Sequence, residues 1–221
     1  SWTTESLELL AKEGESAPGL PGVTFKSFST PWDDPTGQIT FYASLEGANV
    51  DVTNDRSFWR GTPGNFQLFV REGDQAWDFP EGVKFESLRL GPVFGDAEHI
   101  VFEAELNGPG IVDTNNRALW TDRSGSFDML YQSGDPAPGP TYDEPFEWLV
   151  IQGVANDRYI FRGHLQGVGR GESDGIWIET ENGLEELYVR GDQPPGLPPD
   201  SSFREFNQIE ANSRGQVAFY S

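Results

Sequence analysis

Short stretches that alternate between apolar and polar residues run along the whole chain, separated by glycine and proline. Residues 39–43, Ile-Thr-Phe-Tyr-Ala, are a typical stretch. An apolar residue at every second position is the pattern of a β-strand with one buried face. The Pro-Gly pairs at 18–19, 138–139 and 195–196 supply the restricted and positive φ values that tight turns need. The pattern therefore predicts an all-β protein built from short strands.

The stretches recur in the same order four times along the chain. Each copy has a Trp, then a glycine followed by an acidic residue, then a pair of apolar residues, and last a Phe. The four Trp residues are Trp2, Trp59, Trp120 and Trp177. The turn glycines follow at nearly equal intervals and are Gly14, Gly73, Gly134 and Gly191. The closing Phe residues are Phe41, Phe102, Phe161 and Phe219. These landmarks define repeat units at approximately 1–55, 56–116, 117–173 and 174–221.

Each unit is predicted to contain four strands: one with the Trp, one leading to the turn glycine, one with the apolar pair, and one around the closing Phe. A single four-stranded sheet cannot bury both of its faces, but sheets stacked around an axis cover one another. We therefore predict one domain over 1–221, a β-propeller of four four-stranded blades with the repeated Trp and Phe residues as its core. The alternatives are an open β-solenoid and half of a larger propeller.

The last unit contains the sequence Asn-Ser-Arg-Gly-Gln-Val-Ala-Phe at 212–219. It resembles the motif of the choice-of-anchor tandem repeat NxxGxxAF-containing surface proteins of bacteria. The Gly-acidic-x-x-Pro-Gly turns at 14–19 and 134–139 are similar to that family's other recurring feature. Units two and three depart from the motif, because Glu98 and Asp157 replace its glycine. The resemblance implies an exported surface protein whose activity is largely undefined. No leader or sorting tail is recognisable, so we expect a mature fragment that is extracellular or at the cell surface.

Composition narrows the possible partners. The 15 Lys and Arg residues against 36 Asp and Glu residues leave a formal charge of −21, which repels nucleic acid and anionic lipid. The chain has no Cys and two His, which excludes disulfides, thiolate catalysis and three-His metal sites. No apolar run is long enough for direct membrane insertion. The oligomeric state is left open.

Two kinds of residue are candidate binding groups. Trp32 and Trp77 lie outside the repeated Trp set, in loops with carboxylates nearby, where an aromatic ring can stack on a sugar. The alternative is that they cover an edge of the core. The acidic residues after the turn glycines are candidate Ca²⁺ ligands, because Ca²⁺ takes six to eight oxygens; they are Glu15, Asp74, Asp135 and Asp192. The favoured alternative is that each carboxylate accepts backbone N–H groups within its own turn.

Catalytic residues, and cofactors other than Ca²⁺, are not predicted. His99 and His164 stand on opposite sides of the closing Phe of their units, so they are not equivalent positions, and no nucleophile elbow or phosphate loop is present. We therefore expect a non-enzymatic extracellular repeat module that binds a glycan or a protein. The alternatives are a carbohydrate-active hydrolase with a carboxylate pair and a structural subunit of an extracellular filament or sheath.

Overall fold

In the computed structural model the chain forms β-strands joined by turns and loops. The structure describes residues 9–29, 31–33, 36–94, 99–139, 144–155, 158–167, 173–212 and 214–221. Within these residues there are fifteen strands and no helix, which confirms the predicted all-β class. None of the described segments is therefore a helix that could cross a membrane. Trp2 and Asp157 lie outside the described residues.

Antiparallel pairing joins the strands into four sheets. The first sheet has the order β1-β3-β4-β5, with a short β2 paired to β3; its strands are β1 (Val23–Phe28), β2 (Trp32–Asp33), β3 (Ile39–Gly47), β4 (Arg56–Thr62) and β5 (Asn65–Arg71). The second sheet has the order β6 (Lys84–Phe94), β7 (Ile100–Asn107), β8 (Arg117–Thr121) and β9 (Asp128–Gln132). The third has the order β10 (Phe146–Ala155), β11 (Arg158–Leu165), β12 (Asp174–Thr180) and β13 (Gly183–Val189). The described strands of the fourth are β14 (Asn207–Ala211) and β15 (Val217–Tyr220).

The first three sheets share one strand register. The closing Phe of each unit lies opposite the next Trp, in the pairs Phe41–Trp59, Phe102–Trp120 and Phe161–Trp177. A bulge directly before each Trp and another after the first Phe of the apolar pair also recur in all three sheets. Each sheet therefore joins the second half of one repeat unit to the first half of the next, so the sheets are offset by about half a unit from the boundaries set by the Trp residues.

The repeated Trp residues are the centre of each sheet's core. Trp59, Trp120 and Trp177 are fully buried, and each indole meets the first Phe of the sheet edge-on, at centroid distances of 5.0, 5.1 and 4.9 Å. Small residues make room for the ring. In the third sheet a Cβ added to Gly163 or Gly175 would lie 2.7 Å from the Trp177 indole. The core of a sheet is thus built by edge-on aromatic packing over small neighbours.

Successive sheets pack face to face. One core cluster combines Phe58 and Val70 of the first sheet with Trp120 of the second, and another combines Leu119 of the second with Trp177 of the third. The strands that open the sheets also meet, since β10 contacts both β6 and β14. An added Cβ at Gly153 in β10 would lie 3.5 Å from the Cβ of Ala211 in β14, so these two backbones approach closely.

The fourth sheet differs from the others. Its closing Phe219 is only partly buried, whereas Phe41, Phe102 and Phe161 are at most 4% exposed. Phe219 packs on Phe203, Phe206 and Tyr188, so one side of its ring is covered.

Candidate functional site

The four acidic residues of the repeated turns lie in four separate turns. In each turn the glycine has a positive φ and donates its N–H to the carbonyl of the first Phe of the following pair, with N–O distances of 2.8 to 3.0 Å. The carboxylates of Asp135 and Asp192 accept the N–H groups of Gln132 and Val189. Within the described residues no three His, Asp or Glu side chains converge as metal ligands. The structure therefore does not bring Glu15, Asp74, Asp135 and Asp192 together, and Ca²⁺ binding at these turns stays a prediction.

Of the two candidate Trp residues, Trp77 is used in packing. Its ring stacks on Phe127 at a centroid distance of 4.8 Å and meets Phe85 and Phe102 edge-on. Its carbonyl accepts the indole N–H of Trp120 at 3.4 Å. Trp77 therefore covers the Trp120 core, and its stacked face is not open to a ligand.

Trp32 instead borders a cleft between the first and second sheets. The cleft has a volume of about 380 Å³. Its walls contain three aromatic rings, two guanidinium groups, a hydroxyl and an aliphatic residue: Trp32, Tyr42, Phe58, Arg56, Arg89, Ser29 and Leu88. We call this the first cleft. An apolar aromatic surface with a few hydrogen-bond donors is the usual composition of a small-molecule site.

A hydrogen bond holds the polar groups of the first cleft in place. Arg56 Nη1 donates to the Tyr42 hydroxyl at 2.6 Å. Burial raises the pKa of the Tyr42 hydroxyl, although the guanidinium of Arg56 opposes this, so Tyr42 stays neutral and keeps its proton to donate. Arg89 forms an ion pair with Glu105 at the other side of the cleft. The cleft thus presents guanidinium and phenol donors beside aromatic faces.

A buried carboxylate lies beside the first cleft. Glu72 is 3% exposed, and its Oε1 accepts the backbone N–H of Leu88 at 3.2 Å. Burial raises the pKa of Glu72, while the Leu88 hydrogen bond and the charge of Arg56 lower it. The amide of Leu88 is thereby satisfied at the point where β6 bulges away from β7.

The equivalent space between the second and third sheets is closed. It is a small cavity of about 10 Å³, lined by Glu103, Arg117, Leu119, Tyr131 and Leu149 among others. Burial raises the pKa of Glu103 to about 7, although Arg117 and Arg89 lower it. We call this the second cleft. A cavity of this size holds at most a single water molecule, so it is no ligand site.

A third cluster joins His164 to two side chains that the sequence did not single out. His164 Nδ1 lies 2.9 Å from Glu147 Oε2, and Ser173 Oγ lies 2.6 Å from His164 Nε2. The imidazole also stacks on Trp148 at 5.5 Å. This is the order of groups in a serine hydrolase, but Ser173 is 1% exposed while Glu147 is open to solvent. The arrangement therefore ties β11 to the start of β12 and does not offer a nucleophile to a substrate.

His99 lies elsewhere, 3.5 Å from Asp122, so the structure does not bring the two His residues together. Sequence reasoning missed Tyr42, Arg56 and Arg89. The available signal was a departure from the repeat: the position after each closing Phe holds Tyr42, Glu103 and Arg162 in successive sheets. A side chain that changes at an otherwise repeated position marks a place where the copies differ in purpose.

Comparison with known proteins places the chain without assigning it an activity. No curated protein and no solved structure matches it. A family model matches residues 1–221, so the chain belongs to the DUF7453 family, which is a family of unknown function.

Proposed function

We propose that this chain is a non-enzymatic extracellular module that binds a saccharide in the first cleft, on a scaffold of four propeller blades. The observation that carries the proposal is the cleft of about 380 Å³ in which Trp32, Tyr42 and Phe58 stand beside Arg56 and Arg89. Sugar rings present apolar C–H faces and equatorial hydroxyls. Aromatic rings and fixed donors match these two surfaces.

The propeller is supported by how the sheets meet. The strands that open the second, third and fourth sheets contact one another in sequence, β6 with β10 and β10 with β14. Three consecutive sheets with the same register and the same face-to-face packing imply a constant rotation from one to the next. Four such steps that close on themselves make a ring, and the opening strands then line its axis.

Export rests on composition and on the repeat. A charge of −21, the absence of Cys and the resemblance to NxxGxxAF surface proteins all suit an extracellular protein. A protein ligand is the alternative partner, because an open cleft with Arg and aromatic side chains also suits a peptide.

The hydrolase alternative has less support at this site. Glycoside hydrolysis uses two carboxyl groups about 5 to 9 Å apart on either side of the bond. Among the described residues that line the first cleft there is no carboxylate. The filament alternative requires large contacts between copies, well beyond about 1,000 Å², and the mass of the protein in solution at high concentration tests it.

Binding is tested by titrating the protein with soluble oligosaccharides and following Trp fluorescence and calorimetric heat. Neutral β-linked hexasaccharides of glucose and N-acetylglucosamine and an oligogalacturonate are suitable probes. We expect at least one to bind, and we expect Trp32→Ala to weaken it by tenfold or more, in line with about 1–3 kcal/mol for a stacking aromatic.

A matched control comes from the repeat itself. Arg56→Gln removes a donor from the first cleft, whereas Arg117→Gln changes the equivalent residue of the second cleft. We expect Arg56→Gln to weaken binding by about tenfold and Arg117→Gln to leave it within twofold. Equal losses in both variants, or binding that Trp32→Ala does not change, would place the ligand elsewhere.

A further inference from the structure

We propose that the groove beside the fourth sheet is the docking site of the N-terminal segment of the same chain, with residues 1–8 as the occupant and Trp2 as its anchor. The inference rests on the ring of the proposed function, but it does not depend on a saccharide. It concerns how the ring is closed.

The fourth sheet has a place for a Trp that the described residues do not fill. In the second and third sheets the Trp lies edge-on against the first Phe, and its indole N–H donates to a carbonyl of the preceding turn, Trp77 or Pro138. By the repeat, the corresponding groups of the fourth sheet are Phe203 and Pro195. A groove of about 370 Å³ opens at this place, lined by Pro194, Leu197, Phe203 and Tyr220 among others.

The surface of this groove is more apolar than a finished protein edge. Leu197 is 54% exposed and Tyr220 is 66% exposed, and both lie on its walls. Phe219, on the same strand as Tyr220, is only partly buried, whereas its counterparts in the first three sheets pair with a Trp strand. An open strand edge beside apolar side chains is normally covered by another strand.

Leu10 indicates which chain segment covers it. Leu10 packs against the core of the first sheet, as Phe69 packs against that of the second and Leu130 against that of the third. Phe69 and Leu130 belong to the last strands of the sheets that precede those cores. The three residues are equivalent in the repeat, because each precedes the turn glycine of its own unit by the same interval. Leu10 therefore occupies the place of a last strand in the sheet that precedes the first, which in a ring is the fourth.

The repeated register then specifies the pairing. The closing Phe lies opposite the next Trp in each of the first three sheets, so Phe219 would lie opposite Trp2. Since the strands are antiparallel, Thr3 would lie opposite Ala218. Closing a sheet with strands from both ends of the chain ties the ends together and removes an exposed edge.

An engineered disulfide tests this pairing, because the chain contains no Cys of its own. Thr3→Cys combined with Ala218→Cys places two thiols directly across the proposed pair, within the reach of a disulfide. Thr4→Cys with Ala218→Cys is the matched control, since a shift of one residue turns the side chain to the other face. Both proteins are oxidised at low concentration and analysed by non-reducing electrophoresis and mass spectrometry.

We expect the first pair to form an internal disulfide at least tenfold faster than the control. No internal disulfide, or equal rates in the two proteins, would overturn the proposed pairing. A disulfide that forms only between two molecules would show that the occupant is the segment of a second copy, which also overturns it. These readouts involve no saccharide, so their failure is separate from a failure of the first cleft to bind one.

A second measurement uses Trp2→Ala, with Trp148→Ala as a control in a partly buried Trp outside the repeated set. If Trp2 is the anchor, its loss lowers the Tm on the order of 10 °C. A change of about 1 °C or less, smaller than that of Trp148→Ala, would contradict the proposal.

Discussion

The first and second clefts occupy equivalent places between neighbouring sheets, yet one is open and the other is closed. The step from one repeat unit to the next relates their walls, pairing Arg56 with Arg117 and Phe58 with Leu119. The first cleft has a volume of about 380 Å³ and the second about 10 Å³. The same backbone arrangement therefore supports either a binding site or a sealed interface.

Side-chain volume at one position explains much of the difference. Val70 in the last strand of the first sheet corresponds to Tyr131 in the second sheet. The Tyr131 ring lines the second cleft and packs edge-on against Phe161 at 5.6 Å. Burial raises the pKa of Tyr131 to about 12, so its hydroxyl stays neutral. In the first cleft the smaller Val70 leaves space, and Trp32 on the short extra strand β2 extends the aromatic wall.

The two clefts also use buried carboxylates differently. Glu72 beside the first cleft accepts the Leu88 N–H, which favours its charged form. For Glu103 in the second cleft the charged form is favoured by the charges of Arg117 and Arg89, yet burial outweighs them and its pKa rises to about 7. The sealed cleft thus carries the larger electrostatic cost at neutral pH.

Glu103→Gln is expected to have the largest effect on stability. A pKa of about 7 in the folded state, against an ordinary value of 4.5, means that the folded protein binds the proton more tightly than the unfolded chain. Stability from this group is therefore complete below pH 4.5 and is lost as the pH rises through about 7. The variant should be more stable than the parent by up to about 3 kcal/mol at pH 8 and nearly equal to it at pH 4. Urea denaturation at both pH values measures this.

Glu72→Gln is the control, because it removes the buried charge beside the open cleft. Since a hydrogen bond and Arg56 already support the charged form of Glu72, its gain at pH 8 should be clearly smaller. Gains of equal size, or a Glu103→Gln gain that does not depend on pH, would show that the two carboxyl groups do not differ as described.

Tyr131→Val gives the second cleft the residue of the first and should cost about 2 kcal/mol, because an edge-on aromatic contact is replaced by empty volume. Chemical denaturation measures the loss. Benzene or xenon uptake, absent in the parent at this place, would report the new space. A variant as stable as the parent would show that the cleft collapses and that side-chain volume alone does not hold the first cleft open.

Asp122→Asn should have the smallest effect of the three, about 1–2 kcal/mol. Asp122 bonds Arg60 of the first sheet at 2.8 Å and also accepts the Ile100 N–H at 2.7 Å. Its loss is measured by denaturation at fixed salt.

Glu179→Gln is the comparison for Asp122→Asn. It removes the ion pair with Arg123 that joins the second and third sheets, where the second bond, from the Tyr159 N–H, is longer at 3.4 Å. We therefore expect Glu179→Gln to cost less. A larger loss in Glu179→Gln, measured at equal salt, would contradict the view that the interface of the open cleft depends more on its ion pair.

The repeat made the core predictable, because burial demands the same residue type in each copy. Trp59, Trp120 and Trp177 all lie opposite a closing Phe, and the spacing alone located them. The first cleft was harder to predict, because its residues are the ones that do not repeat. Trp32 was found as an extra Trp, but Arg56 and Tyr42 come from different strands and look like ordinary surface residues until pairing brings them together.

By itself the sequence determined the all-β class, the four copies of its landmarks and the identity of the core, because period-two burial and turn chemistry act locally and recur along the chain. Only the tertiary structure decided where one sheet ends and the next begins, which acidic residues are buried, and which of two equivalent interfaces stays open. These depend on side chains from different repeat units meeting across a sheet or between sheets. Their volumes and charges take effect only where the packed sheets place them in contact.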